Sequence, residues 1–203
     1  DEFILHDIRD KNLELFKECE TVYHLAANVG GLGYLTTCES AIMSDNSKML
    51  LNVLDSCEHN NVEKLFYSSS ACVYNTDYQK DPNNVIKLSE DMVLPSNPDK
   101  MYGWERLYSE LLLQQYDSDN RLKCRIARFH NVYGPEAAYI GGKENAPAAI
   151  CRKISEYDDH PIEVWGDGRA VRTFLFIDDC IDGIITLTNS AYNKPLNLGS
   201  EEE

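Results

Sequence analysis

Short apolar runs of strand length alternate with stretches of helical period from one end of this chain to the other. Residues 21–26 (TVYHLA), 64–68 (KLFYS), 124–129 (CRIARF), 174–177 (FLFI) and 195–198 (PLNL) are too compact for helices and too apolar for exposed loops. Such runs suit strands buried on both faces of a parallel sheet. Between them, residues 38–60 put Met49, Leu50, Val53, Leu54 and Cys57 on one helical stripe, and 102–116, 146–157 and 179–190 also read as helices. Asp178 is placed to cap the last of these. Weaker patterns predict strands at 3–5 and 162–165, a helix at 10–18, turns at 131–135 and 166–168, and a long loop over 75–99. Strand and helix in alternation specify an α/β fold, a doubly wound parallel sheet with helices on both faces.

The chain has 203 residues, enough for about one domain with a small appendage. No apolar run approaches the roughly 20 residues of a membrane span, and no basic segment leading into an apolar one opens the chain. A net charge of −15 argues against nucleic acid and anionic lipid as partners. Residues 121–172 depart from that balance, with 9 Lys/Arg against 7 Asp/Glu, and could hold a small anion. The seven cysteines are odd in number, form no CxxC and have no histidines at zinc spacing. Most have apolar neighbours and read as reduced core thiols, so no metal site and a cytoplasmic location are expected.

Ligands of parallel α/β sheets bind beyond the carboxyl ends of the strands. Three loops fall there: 26–33, 68–74 and 129–135. The first, with Gly30, Gly31 and Gly33, does not fit GxGxxG, and no helix is expected to begin at the right distance after it. It reads as a tight turn or as backbone that lets a ligand approach. The second places Ser68, Ser69, Ser70 and Cys72 at a strand end. Tyr102 and Arg106, four residues apart, share one face of the helix that follows. A phenol titrates near 10, so its use as a base calls for a fixed cation nearby, and Arg106 is placed to be one.

Together these segments resemble a known family. HLAA (24–27), SSSACVY (68–74), YxxxR (102–106), RFHNVYGP (128–135) and RTFLFIDD (172–179) are similar to the extended short-chain dehydrogenase/reductases, the NAD-dependent epimerase/dehydratase family acting on nucleotide sugars. NVGGLG (28–33), SSAC (69–72), GGKENAPAAICRK (141–153) and WGDGRAVRTFLFIDD (165–179) resemble the branch that epimerises GDP-hexoses at C3 and C5. The resemblance implies a Rossmann-like NAD-binding portion over residues 1–135, a small substrate-binding portion over 136–170, and a return to the sheet over 171–203.

It also implies site residues. Asp7 and Ile8 would lie near the adenine of NAD, with Leu25, Ala26, Ala27, Asn46, Ser68, Tyr102 and Arg106 along the rest of the cofactor. Ser70 and Tyr102 would face the sugar C4 hydroxyl, with Tyr102 the base, and Cys72 would exchange protons at C5 and C3. Gly30 and Gly31 would approach the sugar, while Asn131, Lys153 and Arg172 would hold the diphosphate with Lys143 as a fourth contact. Oxidation at C4 by NAD acidifies the neighbouring carbons, and re-reduction leaves a net isomerisation. Helices 38–60 and 102–118 would pair with a second copy in a homodimer.

The chain also departs from the pattern. Arg106 replaces the family's Lys, and Asn145 stands where the branch has a second proton carrier. The family's opening strand, glycine-rich loop, helix and strand do not precede Asp1, which suggests an internal segment that binds NAD poorly by itself. Two other readings stay open: a GDP-4-keto-6-deoxymannose epimerase-reductase, and a relative that binds a nucleotide sugar without turnover.

Overall fold

The computed structural model describes residues 2–81, 86–98, 100–164, 168, 169 and 171–201, with Leu32 as backbone only. Its elements, in order, are β1 (Thr21–His24), α1 (Leu32–Thr37), α2 (Glu39–His59), β2 (Lys64–Ser70), α3 (Met101–Ser118), β3 (Lys123–Phe129), β4 (Val132–Tyr133), α4 (Ala146–Ser155), β5 (Leu175–Phe176), α5 (Ile177–Asn189) and β6 (Leu196–Leu198). Four strands form a parallel sheet in the order β1-β2-β3-β6, and β4 pairs with β5 in a separate parallel ribbon. This is the expected α/β architecture.

Alternation along the strands divides the core into two layers. Leu65 and Tyr67 of β2, with Cys124 and Ile126 of β3, pack beneath Leu50, Val53, Leu54 and Cys57 of α2 and Leu113 of α3. Phe66 and Ala127 face the other way, onto Cys180, Ile184 and Leu187 of α5. All five residues of the expected α2 stripe are buried.

Several local expectations fail. Residues 3–5 form no strand, and Phe3 and Leu5 are almost fully exposed. An apolar run becomes a strand only where a neighbouring edge accepts its backbone hydrogen bonds, and among the described residues no strand pairs with 3–5. Residues 10–18 make successive turns, tied to α2 and its C-cap through Leu13 O, which accepts from Ser56 Oγ and Asn60 Nδ2. Residues 162–164 are irregular; Trp165 and most of the turn expected at 166–168 lie outside the described residues. A short helix, α1, does follow the glycine loop, with Gly31 as its N-cap. Phe176 caps α5, leaving Asp178 and Asp179 in its first turn, where their charge favours the helix dipole. Only Cys57, Cys124 and Cys180 are buried; Cys19, Cys72 and Cys151 are exposed.

Candidate active site

The site begins where β2 ends. After Ser70 the chain tightens into a 3₁₀ turn, Ala71–Val73, and the Ser70 hydroxyl caps it by accepting from the Cys72 amide at 3.2 Å. Val73 and Tyr74 are buried, so the turn is anchored from below while Cys72 stays exposed. The start of α3 packs directly on this turn. A side chain at Gly103 would strike the Cys72 carbonyl oxygen and lie 2.6 Å from Pro98 Cβ. Glycine is thus required for this close approach. It sets Tyr102 against the turn, where Ser70 and Cys72 both act on its phenol. Phenol, hydroxyl and thiol, picked out separately along the chain, meet at one strand end.

Below Tyr102 lies Arg106, with only 1% of its surface exposed. Its guanidinium carbon sits 4.9 Å from the centre of the Tyr102 ring and 5.3 Å from that of Tyr67. Nη1 donates to Tyr67 Oη at 2.6 Å and to the Ser68 carbonyl at 3.3 Å. Nε and Nη2 are buried without a hydrogen-bond partner. Burial opposes the charge, but the two tyrosines and Glu105 more than offset it, and Arg106 stays cationic. Burial raises the Tyr102 phenol above its ordinary value, and Arg106 pulls the other way.

Glu105, also buried, lies with Oε2 3.3 Å from Arg106 Nε. It accepts from Asn46 Nδ2 at 3.1 Å and from Ser109 Oγ at 2.8 Å. Asn46 in turn binds the backbone of Asn28 through both side-chain atoms, tying the glycine loop to α2 and α3. Tyr102, Glu105, Arg106 and Ser109 are one buried stripe of α3 at i, i+3, i+4 and i+7. A second buried network braces the same strand end. Ser69 Oγ donates to Glu110 at 2.5 Å, Arg128 donates to both Glu110 oxygens, and Arg128 Nη1 reaches Tyr74 Oη at 2.9 Å. Glu105, Glu110 and Arg128 were not singled out from the sequence.

Ser70 is level with Phe129 in the sheet, so the Cys72 turn and the segment 130–131 leave adjacent strands side by side. Next to them opens a cleft of about 890 Å³, lined by His130, Asn131, Arg172, Thr173 and the segments 86–90 and 199–201 among others. This is the size of a small-molecule site. Asn131 adopts φ +37°, and its Nδ2 donates to the Thr173 carbonyl, which ties the two walls together. Arg172 Nη1 donates to the carbonyl of Val171. Ser70, Cys72 and Tyr102 are not among the lining residues.

The remaining candidates are dispersed. Lys143 lies against the glycine loop: Gly31 N donates to its carbonyl at 3.1 Å, and its Nζ stands 4.3 Å from the Tyr34 ring centre. A side chain on Gly30 would meet Lys143, and one on Gly31 would meet the Glu144 carbonyl. Lys153 is away from the cleft lining and donates to the Glu163 carbonyl at 2.5 Å. Asn145 is the exposed N-cap of α4. Leu25, Ala26 and Ala27 follow β1, and Ser68 Oγ bonds the His24 carbonyl at 3.3 Å. Ile8 packs on the core beneath α2. Asp7 is exposed, its carboxyl held down to about 2 by hydrogen bonds from Arg9, which also reaches Asp45.

The chain is 41% identical over its full length to GDP-mannose 3,5-epimerase of Arabidopsis thaliana, covering 54% of that protein. It is 28% identical, again over its full length, to UDP-glucuronic acid decarboxylase 1 of the same organism, covering 44% of it. The chain thus spans about half the length of the curated relatives it matches. The solved structure of UDP-glucuronic acid 4-epimerase from Bacillus cereus, in complex with UDP-glucuronic acid and NAD, superposes with a TM-score of 0.80 at 27% identity, covering 97% of this chain and 59% of that one. Residues 2–199 match the model of the NAD dependent epimerase/dehydratase family. The chain belongs to that family.

Proposed function

We propose that this chain carries the active site of an NAD-dependent sugar-nucleotide epimerase acting on a GDP-hexose. The observation that carries the reading is the meeting of the Tyr102 phenol, the Ser70 hydroxyl and the Cys72 thiol at the end of β2, with the buried Arg106 cation beneath. The identity to GDP-mannose 3,5-epimerase supports the choice of nucleotide and of reaction. The site fits the cofactor, since Nη2 of Arg106 is a buried donor with no hydrogen-bond partner among the described residues, which suits a hydroxyl of a nicotinamide ribose. Arg106 and Tyr102 would hold that end, Leu25, Ala26, Ala27, Asn46 and Ser68 the middle, and Asp7 and Ile8 the adenine.

When bound, NAD supplies reversible oxidation at sugar C4. Tyr102, as phenolate, takes the O4 proton during oxidation and returns it on reduction, with Ser70 fixing O4 by a hydrogen bond. Arg106 favours the phenolate that the buried position otherwise opposes. Once C4 is a ketone, the protons on C3 and C5 are acidic, and Cys72 as thiolate removes one of them. Asn131 and Arg172, both in the cleft lining, orient the diphosphate. Asn145 carries no titratable proton, so Cys72 serves one face of the sugar and the opposite face is the weak point of full inversion.

A homodimer is supported by the apolar surface that α2 and α3 leave exposed, which includes Leu51, Trp104, Tyr108 and Leu111. A cytoplasmic location, where NAD and nucleotide sugars are found, belongs to the same reading. The test is to incubate the full-length protein with NAD and GDP-mannose in D₂O and follow deuterium at C3 and C5 by NMR. Incorporation supports the reading. Binding of both ligands without incorporation would turn it into the alternative of a nucleotide-sugar binder without turnover.

A further inference from the structure

The Tyr102–Arg106 pair has a third member that the mechanism leaves unused. Glu105 is fully buried beside a cation, in a position where a solvated acid would ordinarily be expected on a helix. Each carboxylate oxygen accepts a side-chain hydrogen bond, from Asn46 of α2 and from Ser109 one turn along α3. Oε2 also stands 3.3 Å from Arg106 Nε, a charge contact without hydrogen-bond alignment. On its other side the guanidinium is fixed by Tyr67 of β2 and the Ser68 carbonyl. Glu105 and Tyr67 therefore grip Arg106 from two elements and leave Nη2 unengaged.

We propose that Glu105 is a positioning residue of this site, which locks the Arg106 guanidinium beneath Tyr102 with Nη2 free for the cofactor and balances its charge. The inference rests on the function proposed above. It concerns a residue that touches neither substrate nor cofactor and acts through Arg106. A permanent guanidinium replaces an ammonium here, and a planar fork is useful only if its orientation is fixed. Buried charge without a counter-charge is costly, and Glu105 meets that need as well.

The groups that face Tyr102 are Arg106 and Glu105 from α3, Cys72 from the turn after β2, and Ser70 from β2 itself. Those around Glu105 and Arg106 add Asn46, Ser109, Tyr67 and, from β1, His24. Among them Glu105 is a negative charge that opposes formation of the Tyr102 phenolate. Removing it lets Arg106 act unopposed, so the limb of activity that rises with Tyr102 deprotonation moves to lower pH.

Glu105→Gln and Glu105→Asp in the full-length protein separate the two roles. NADH binding is read by fluorescence, and the pH profile by solvent-deuterium exchange into GDP-mannose. Glu105→Gln is expected to weaken NADH about tenfold and to move the rising limb about one unit down. Glu105→Asp keeps the charge but shortens the reach, so NADH weakens while the limb stays. Should Glu105→Gln not fold, Ser109→Ala strips one hydrogen bond from the carboxylate and must weaken NADH roughly threefold. Unchanged NADH affinity and an unmoved limb in variants that melt at lower temperature would reduce Glu105 to a structural residue and overturn the inference. A parent protein that neither binds NADH nor exchanges deuterium would instead overturn the proposed function, and the inference with it.

Discussion

Replacing Gly103 by Ala tests the packing that brings phenol and thiol together. The added methyl would collide with the Cys72 carbonyl oxygen and lie 2.6 Å from Pro98 Cβ. The first of these is backbone of the turn that carries the thiol, so relief requires α3 and the turn to separate. Overpacking of this kind costs about 1–3 kcal/mol, and the gain in helix propensity returns up to about 1 kcal/mol. The net loss, of order 0–2 kcal/mol, lowers Tm by several degrees at most in a domain of this size. The effect on catalysis is larger, since a misplacement of about 1 Å costs on the order of a hundredfold. Deuterium exchange into GDP-mannose, measured beside a thermal melt, should therefore fall roughly a hundredfold in a protein that still folds. Exchange within threefold of the parent, at any Tm, would refute the claim that this contact sets the site.

Tyr102→Phe removes the proposed O4 proton carrier and should lower turnover by about 10²–10⁴-fold, while NADH binding, read by fluorescence, changes far less. Asn145→Lys restores a proton carrier at the N-cap of α4 and should raise the yield of inverted sugar, seen by NMR of the product, without raising deuterium exchange by Cys72. Glu110→Ala leaves the buried Arg128 without its ion-pair partner at 2.8 Å, a loss of about 3–5 kcal/mol that should appear as a fall in Tm of roughly 6–20 °C. Burial lowers His24 from 6.5 to about 4, so its folded form resists protonation. The stability held by neutral His24 is complete above about pH 6.5 and is lost as the pH falls toward 4. The loss amounts to about 3 kcal/mol, and urea titrations over that range should show it shrinking in His24→Gln.

The sheet was readable because its strands are compact and apolar and its long helices carry clear stripes. The stripe of α2, from Met49 to Cys57, is the clearest example. Expectations failed where a run depended on a partner beyond its own pattern. Phe3–Leu5 has strand-like residues but pairs with no strand among the described residues, and α1 begins at a glycine N-cap that lacks the usual side-chain signal. At the site, Ser70, Cys72 and Tyr102 were visible as residue types at strand and helix ends. Their convergence was not, because it depends on Gly103, which is unremarkable in sequence. Glu105, Glu110 and Arg128 escaped notice because charged residues on a helix or strand are ordinarily solvated. The available clue was position: Glu105 and Arg106 fall three and four residues after Tyr102, on the face that the sheet covers.

The central claim is that one phenol and one thiol address the same pyranose ring. A crystal structure of the full-length protein with NAD and GDP-mannose tests this most directly. The account predicts Tyr102 Oη within hydrogen-bond reach of the sugar O4, about 2.6–3.2 Å, and Cys72 Sγ facing C3 or C5 of the same hexose. A hexose seated with either atom turned away from it, or separated from it by protein, would contradict the account.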